Sequence, residues 1–271
     1  DSISVLVVAD PASSLRNQMS YIVSSTPKDT VLSWLDKWGF IRSPYDQLMT
    51  IFHEGFHVYQ EHKAPEKYAN EVAVIKYPSL DAVNNALYVL EGKILKELML
   101  EKNASRKKEL VKQFIAVRNS RISSLDSTLV EYENLNEYVE GTAKYVEYKF
   151  LSLGTNLEPG EEMYYHYGFN GYASQLTKIF KERADDMMKI VSLSDNRTGN
   201  IYGTGPVRFR LYESGAAIAF TLDDFYPGWK KEIFNDNVYL FNLLKKAVPL
   251  SFEEEKNYLM KAKQDFGYDE A

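Results

Sequence analysis

Apolar residues recur at helical spacing along most of the chain after residue 43. The clearest run forms one face at a period of 3.6 residues and consists of Leu48, Ile51, Phe52, Phe56 and Tyr59. Ser43 and Pro44 precede this run, as is typical of a helix start, because the hydroxyl can cap the helix and proline suits its first turn. The pattern therefore predicts a helix from residue 44 to about His62, ending before Pro65.

The same spacing predicts further helices across the rest of the chain. They are two helices within 79–124 that break at 103–105, followed by 126–150, 171–191, 212–225 and 252–266. The glycine-rich segment 194–206 lacks this spacing, and we predict that it is a mobile loop or lid.

The first forty residues show a different pattern. Ile3–Ala9 is an apolar, β-like run, and Thr30–Trp38 has helical spacing. No linker is polar enough to mark a domain boundary. We therefore expect one mainly α-helical domain spanning residues 1–271, with a small N-terminal β element.

Composition and charge exclude several kinds of function. The chain has no cysteine, which excludes disulfides, thiol catalysis, iron–sulfur clusters and cysteine-bound zinc. Its 32 basic and 38 acidic residues give a net charge of −6, which argues against nucleic acid as a partner. No apolar run approaches the roughly 18 to 20 residues that span a bilayer, so we expect no transmembrane segment.

The start of the chain at Asp1, without a methionine, indicates that residues preceding it were removed. The 20 tyrosines, with many asparagines and lysines, are typical of exported bacterial proteins. We therefore expect a periplasmic, cell-surface or secreted protein whose targeting peptide has been removed.

Two of only four histidines lie in the sequence His53-Glu54-Gly55-Phe56-His57, within the first predicted helix. Four residues turn an α-helix by about 400°, so both imidazoles lie on one face and can reach one metal ion. Glu54 lies about 100° further round, where it can contact a water bound to that metal and take its proton. The H-E-x-x-H pattern thus predicts a zinc hydrolase with His53 and His57 as ligands and Glu54 as general base.

A zinc hydrolase needs a third protein ligand, and the predicted helix 126–150 offers four glutamates: Glu133, Glu137, Glu140 and Glu147. Their spacing places all four on one face, which in most helices is a solvated acidic stripe. Gly141 favours Glu140, because a glycine inside a helix lowers its stability and indicates close packing there. Glu147 lies within about 20° of Glu140 around the axis and could orient a ligand through a hydrogen bond.

H-E-x-x-H followed by a helix with the pattern E-G-x-x-x-Y-x-E resembles the gluzincin metallopeptidases, particularly the ligand helix of their aminopeptidase-type members. The resemblance implies a zincin-like core with Zn²⁺ held by His53, His57 and Glu140, and Glu54 as general base and proton shuttle. The segment between the two motifs is longer than in thermolysin or the aminopeptidases, so the helical hairpin at about 79–124 is expected to be an insertion. The aminopeptidase sequence G-x-M-E-N is missing, so exopeptidase action is not supported.

Catalysis also needs a donor for the developing oxyanion, which gluzincins commonly take from a later Tyr or His. The candidates are His166, Tyr202 and Tyr212. Tyr212 is favoured, because a tyrosine three residues before a glycine at a helix start resembles the substrate-binding tyrosines of some helical oligopeptidases. Arg210 could hold a substrate carboxylate or carbonyl, and His62 is a further candidate for a site residue.

These features predict zinc-dependent hydrolysis of peptide bonds in a peptide or protein substrate. Two alternatives stay open: a catalytically inactive zinc-binding interaction module, and a zinc hydrolase of a non-peptide amide or ester. Glu54 favours catalysis over the interaction module, because a structural zinc site needs no general base.

Overall fold

The computed structural model describes three stretches of the chain: residues 43–166, 168–191 and 204–270. Side chains are described in all of them except at 186–191 and 204–206. These stretches contain helices and no strand, so the mainly α prediction is confirmed for them. The predicted β run Ile3–Ala9 and the predicted helix Thr30–Trp38 lie outside the described residues.

The α-helices of the described residues are numbered in chain order: α1 (Pro44–Lys63), α2 (Ala82–Leu100), α3 (Ala104–Ile122), α4 (Ser127–Asn136), α5 (Thr142–Leu153), α6 (Ala173–Val191), α7 (Thr204–Phe225), α8 (Trp229–Glu232), α9 (Leu240–Ala247) and α10 (Phe252–Asp265). Short 3-10 helices lie at Glu71–Lys76, Gly154–Asn156, Glu161–Tyr165 and Tyr268–Glu270. None of the helices in the described part of the chain combines the length and the apolar character that crossing a membrane requires.

Side-chain caps fix the starts of the two hairpin helices. The carboxylate of Asp81 accepts a hydrogen bond from the Asn84 N–H at 2.7 Å, so α2 begins after Asp81, within the predicted range 79–124. Asn103 caps α3 in the same way, so the two helices break at 101–103, and the predicted break at 103–105 is displaced by two residues. The two helices lie at the predicted positions and pack against each other.

The predicted loop 194–206 is only partly described. Its last three residues belong to α7, which begins at Thr204, so the loop prediction is wrong for them. Pro206 fits there because the first turn of a helix leaves its N–H groups without intrahelical partners. The remaining loop residues, 194–203, lie outside the described part of the chain.

The predicted continuous helix 126–150 is interrupted by a π-helical turn at Glu137–Gly141, between α4 and α5. A π turn pairs residue i with i+5 and so holds one residue more than an α turn. Residues after it are therefore rotated by about 100° from the positions that an uninterrupted α-helix gives them.

The described chain divides into two compact units, each built from two stretches of sequence. The described part of the first unit contains 43–58 and 147–180. Its core is formed by Tyr45, Met49, Leu151, Phe169 and Leu176. The Tyr45 hydroxyl donates to the Gly171 carbonyl at 2.7 Å and accepts from the Asn170 N–H at 3.0 Å, which anchors the start of α1 within this unit.

The second unit contains residues 59–146 and, in its described part, 181–191 and 204–270. Here α10 packs on α3, and α7 packs on the π turn, on α2 and on α9. Fully buried apolar side chains fill the space between these helices, among them Leu90, Ile94, Leu110, Phe114 and Leu244. The single-domain arrangement and the inserted status of the hairpin stay predictions.

Candidate metal centre

His53, His57 and Glu140 each offer one ligand atom, and these atoms lie within 4.8 Å of one another. All three side chains are partly buried. In a tetrahedral zinc site, metal–ligand distances of about 2.1 Å place ligand atoms about 3.4 Å apart. Movements of roughly 1 Å would therefore bring the three atoms into ligating positions, and the group fits one metal ion.

The imidazole of His53 is oriented by Glu147, since its Nδ1 lies 2.6 Å from Glu147 Oε1. Both side chains are largely buried, with 12% and 11% of their surfaces exposed. An ionised carboxylate accepts this hydrogen bond from Nδ1–H, which leaves Nε2 with its lone pair for a metal. The His53 and His57 rings are nearly perpendicular, with centroids 4.7 Å apart.

The contact between His53 and Glu147 is supported by the packing of α1 on α5. Phe52, the residue before His53, stacks on Phe150 with ring centroids 4.2 Å apart. Phe150 lies three residues after Glu147 and so faces the same side of α5. The aromatic pair and the His53–Glu147 hydrogen bond therefore hold the two helices together within the first unit.

Glu140 has its own set of partners in the second unit. Arg208 Nη2 donates to Glu140 Oε1 at 3.1 Å, and Arg208 also pairs with Glu71 at 3.2 Å. The Tyr212 hydroxyl hydrogen-bonds with Glu140, and burial, with the charge of Glu140 as the next contribution, raises the pKa of Tyr212. The hydroxyl therefore stays protonated at neutral pH and can donate.

Glu133 and Glu137, two of the four candidate ligands, lie outside the metal-binding group. Glu133 and Glu137 have 3% and 1% of their surfaces exposed, so they do not form a solvated stripe. Glu133 accepts two hydrogen bonds from Arg121, at 2.7 and 2.6 Å, and Glu137 accepts one from Arg118 at 2.8 Å. The prediction that all four glutamates share one face is wrong, because the π turn rotates the helix between Glu137 and the later pair.

Arg210 and His166 are not members of the metal-binding group found in the described residues. Arg210 is buried, with its guanidinium packed on the ring of Tyr88. His166 is exposed at the end of the short 3-10 helix Glu161–Tyr165. Their predicted roles in binding substrate stay predictions, as does that of Glu54, which is exposed on α1 beside the two histidines.

Sequence reasoning missed the residues that surround Glu140. Arg208 lies four residues before Tyr212, so the two share a face of α7, and this spacing could have identified it. Burial, a hydrogen bond to Glu61 and, to a smaller extent, the charge of Glu140 raise the pKa of Tyr68 to about 12. No sequence pattern marks Tyr68. The predicted alternative Tyr202 lies outside the described residues.

The chain matches no protein-family model, and it matches neither a curated protein nor a solved structure. The resemblance to gluzincins accordingly depends on the two motifs, and the function is argued from the geometry of the site.

Proposed function

We propose that this protein is a zinc-dependent hydrolase that cleaves peptide bonds, with a site of gluzincin type. The observation that carries the proposal is the set of three ligand atoms from His53, His57 and Glu140 within 4.8 Å, with the carboxylate of Glu54 on the same helix. A structural zinc site closes with four protein ligands, whereas a catalytic site keeps one position open.

The donor set favours zinc among the common metals. Two imidazoles and one carboxylate are the ligands of several catalytic zinc sites, whereas magnesium and calcium prefer oxygen ligands. A bound zinc ion would polarise a substrate carbonyl and lower the pKa of a water molecule.

The side chains around the metal group have separate roles in the proposed reaction. Glu54 is solvent-exposed and accepts the proton of the attacking water, then passes it to the leaving amine. The protonated hydroxyl of Tyr212 donates to the oxyanion that develops on the substrate carbonyl. Arg208 neutralises part of the charge of Glu140 and fixes its orientation through the 3.1 Å hydrogen bond.

The substitution Glu54→Gln tests this mechanism. We expect the variant to bind zinc as the wild type does and to hydrolyse a quenched-fluorescence peptide mixture at least about 100-fold more slowly, since the general base is lost. Glu66→Gln, a change of another exposed glutamate in the second unit, is the matched control and should retain full activity.

The outcomes separate the proposal from its alternatives. A Glu54→Gln variant with wild-type activity would overturn the mechanism. Zinc binding without hydrolysis of either peptides or simple esters would favour the interaction module, and hydrolysis of esters or small amides alone would favour a non-peptide substrate.

A further inference from the structure

The π turn at Glu137–Gly141 is held by a side chain from the histidine helix. Gln60, three residues after His57, is completely buried. Its amide Nε2 donates to the carbonyls of Tyr138 and Val139 at 3.0 and 3.1 Å, and it lies 3.0 Å from Thr142 Oγ1. These acceptors lie immediately before and after Glu140.

The hydrogen bonds of Gln60 compensate for the irregular backbone of the turn. The change from i+4 to i+5 pairing disturbs the regular ladder of hydrogen bonds, and a buried carbonyl without a donor destabilises the fold. Thr142 contributes as well, since its hydroxyl donates to the Tyr138 carbonyl at 2.5 Å. Two side chains therefore supply donors at the place where the helix departs from α geometry.

The turn is also fixed by a close backbone contact with α7. A Cβ atom added to Gly141 would lie 2.6 Å from the Cα of Gly215, and one added to Gly215 would lie 2.7 Å from the Glu137 carbonyl oxygen. The predicted close packing at Gly141 is thus confirmed. The π turn is therefore in contact with both Gln60 and Gly215.

The register of this turn determines where the carboxylate of Glu140 points. A return to α-helical pairing would rotate Glu140 relative to α4 by up to about 100°. Glu140 would then no longer meet its partner Arg208, and its ligand atom would leave the group formed with His53 and His57. The turn is therefore a condition for metal ligation by Glu140.

We propose that Gln60 is a positioning residue for metal binding, which acts by stabilising the π turn that directs Glu140. The proposal rests on the metal ligation in the proposed function and does not depend on hydrolysis. Gln60 has no direct contact with the metal, so its effect passes through the backbone of residues 138–142.

The experiment compares Gln60→Met with Gln113→Met. Methionine has nearly the size of glutamine but supplies no N–H donor. Gln113 is equally buried and lies in the same unit, where its amide donates to Asp265 at 2.8 Å. Gln60→Met removes three hydrogen bonds at the π turn, and Gln113→Met removes one hydrogen bond away from it.

Two measurements are made on each variant: a titration with Co²⁺ or Zn²⁺ alone, and a crystal structure of the metal-free protein. We expect Gln60→Met to weaken metal binding at least about 10-fold, the range found for residues that orient metal ligands. Gln113→Met should bind metal as the wild type does. The metal-free structure of Gln60→Met should show α-helical pairing at 137–141.

An intact π turn in Gln60→Met, or equal losses of metal affinity in both variants, would overturn the proposal. A wild type that binds no metal would overturn the proposed function, and the register of the turn in the variant would still decide whether Gln60 holds it. If Gln60→Met does not fold, Thr142→Val tests the same turn: we expect metal binding to weaken a few-fold, and unchanged affinity would contradict the proposal.

Discussion

Four glutamates lie along one stretch of helix, and the first two along the chain have different partners from the last two. Glu133 and Glu137 are buried against arginines of α3, whereas Glu140 belongs to the metal-binding group and Glu147 bonds to His53. The same residue type thus serves two purposes within fifteen positions. The partner's chemistry, and not the glutamate itself, determines which purpose applies.

The first pair is part of a closed network of charges. Glu91 accepts hydrogen bonds from both Arg118 and Arg121, so two arginines and three glutamates form one buried cluster. Ser214 donates to the remaining oxygen of Glu137 at 2.7 Å. Each of these carboxylates is thus bonded within the protein, which compensates for the cost of burying its charge.

The second pair is more exposed. Glu140 and Glu147 keep 12% and 11% of their side-chain surfaces exposed, against 4% and 1% for Glu133 and Glu137. Glu140 accepts a hydrogen bond from Arg208, and its ligand atom lies within 4.8 Å of those of His53 and His57. The comparison therefore separates Glu133 and Glu137, which pair with buried arginines of α3, from Glu140, which offers a ligand atom to the metal-binding group, and Glu147, which orients one of its histidines.

The largest effect is expected from disrupting the buried charge network of Glu133 and Glu137. Arg121→Met removes the donors to Glu91 and Glu133 and leaves both carboxylates buried with fewer partners. We expect unfolding free energy to fall by about 3–5 kcal/mol, measured by urea denaturation. Arg106→Met, which breaks partly exposed pairs with Glu97 and Glu109, should cost less than the loss of Arg121, about 1 kcal/mol per pair at most. Equal losses would show that burial of the network is not what stabilises it.

Substitution of Glu140 should lower the affinity for metal rather than the stability of the fold. Glu140→Gln removes one anionic ligand, so we expect metal affinity to fall by more than about 100-fold with little change in the stability of the metal-free protein. Elemental analysis and zinc titration measure the first effect, and urea denaturation measures the second. Glu131→Gln, at an exposed position of α4, should change neither. Normal zinc content in Glu140→Gln would place the third ligand elsewhere.

The close contact between the π turn and α7 can be tested by a substitution at Gly215. Gly215→Ala places a Cβ against the Glu137 carbonyl, and such overpacking costs about 1–3 kcal/mol. Gly228→Ala is the control, because a Cβ there has no neighbour within 4 Å. Thermal denaturation should show a lower melting temperature for the first variant alone. Equal melting temperatures would mean that α7 can move away from the π turn without loss.

Sequence reasoning could predict the helices and the two histidines because both follow from local spacing. The period of 3.6 residues locates α1, and H-E-x-x-H places His53 and His57 on one face. The π turn could not be predicted in this way, because it depends on Gln60 and Gly215, which are distant in sequence. The burial of Glu133 and Glu137, where a solvated acidic face was expected, could not be predicted for the same reason.

The buried arginines illustrate a further limit of sequence patterns. Arg118 and Arg121 lie on a helix with many charged residues, and such a helix is usually solvated on its charged face. Their burial follows from tertiary packing of α2, α4 and the π turn around them. Charge pairing over 12 to 30 positions, as in Arg121 with Glu133 and Glu91, leaves no signal in a single sequence.

The smallest expected effect is a difference between Glu133 and Glu137 in how each makes the stability of the fold depend on pH. Burial opposes ionisation of both, but the paired Arg121 holds the pKa of Glu133 below its usual 4.5, whereas burial raises the pKa of Glu137 despite Arg118. For Glu133 the unfolded state binds more protons just below pH 4.5, so its contribution to stability is lost as pH falls through the folded pKa. For Glu137 the folded state binds more protons above pH 4.5, so stability falls as pH rises through that window.

The two substitutions should therefore change the pH profile of stability in opposite directions. Relative to the wild type, Glu133→Gln should flatten the loss of stability on acidification below pH 4.5, and Glu137→Gln should remove the decrease as pH rises above 4.5. Urea denaturation at a series of pH values from about 3.5 to 6.5 measures both, with the two variants compared by slope because each also lowers stability overall. Parallel profiles would show that ionisation of Glu133, with two hydrogen bonds from Arg121, and of Glu137, with one from Arg118, affects stability equally. The expected difference between these two glutamates would then be absent.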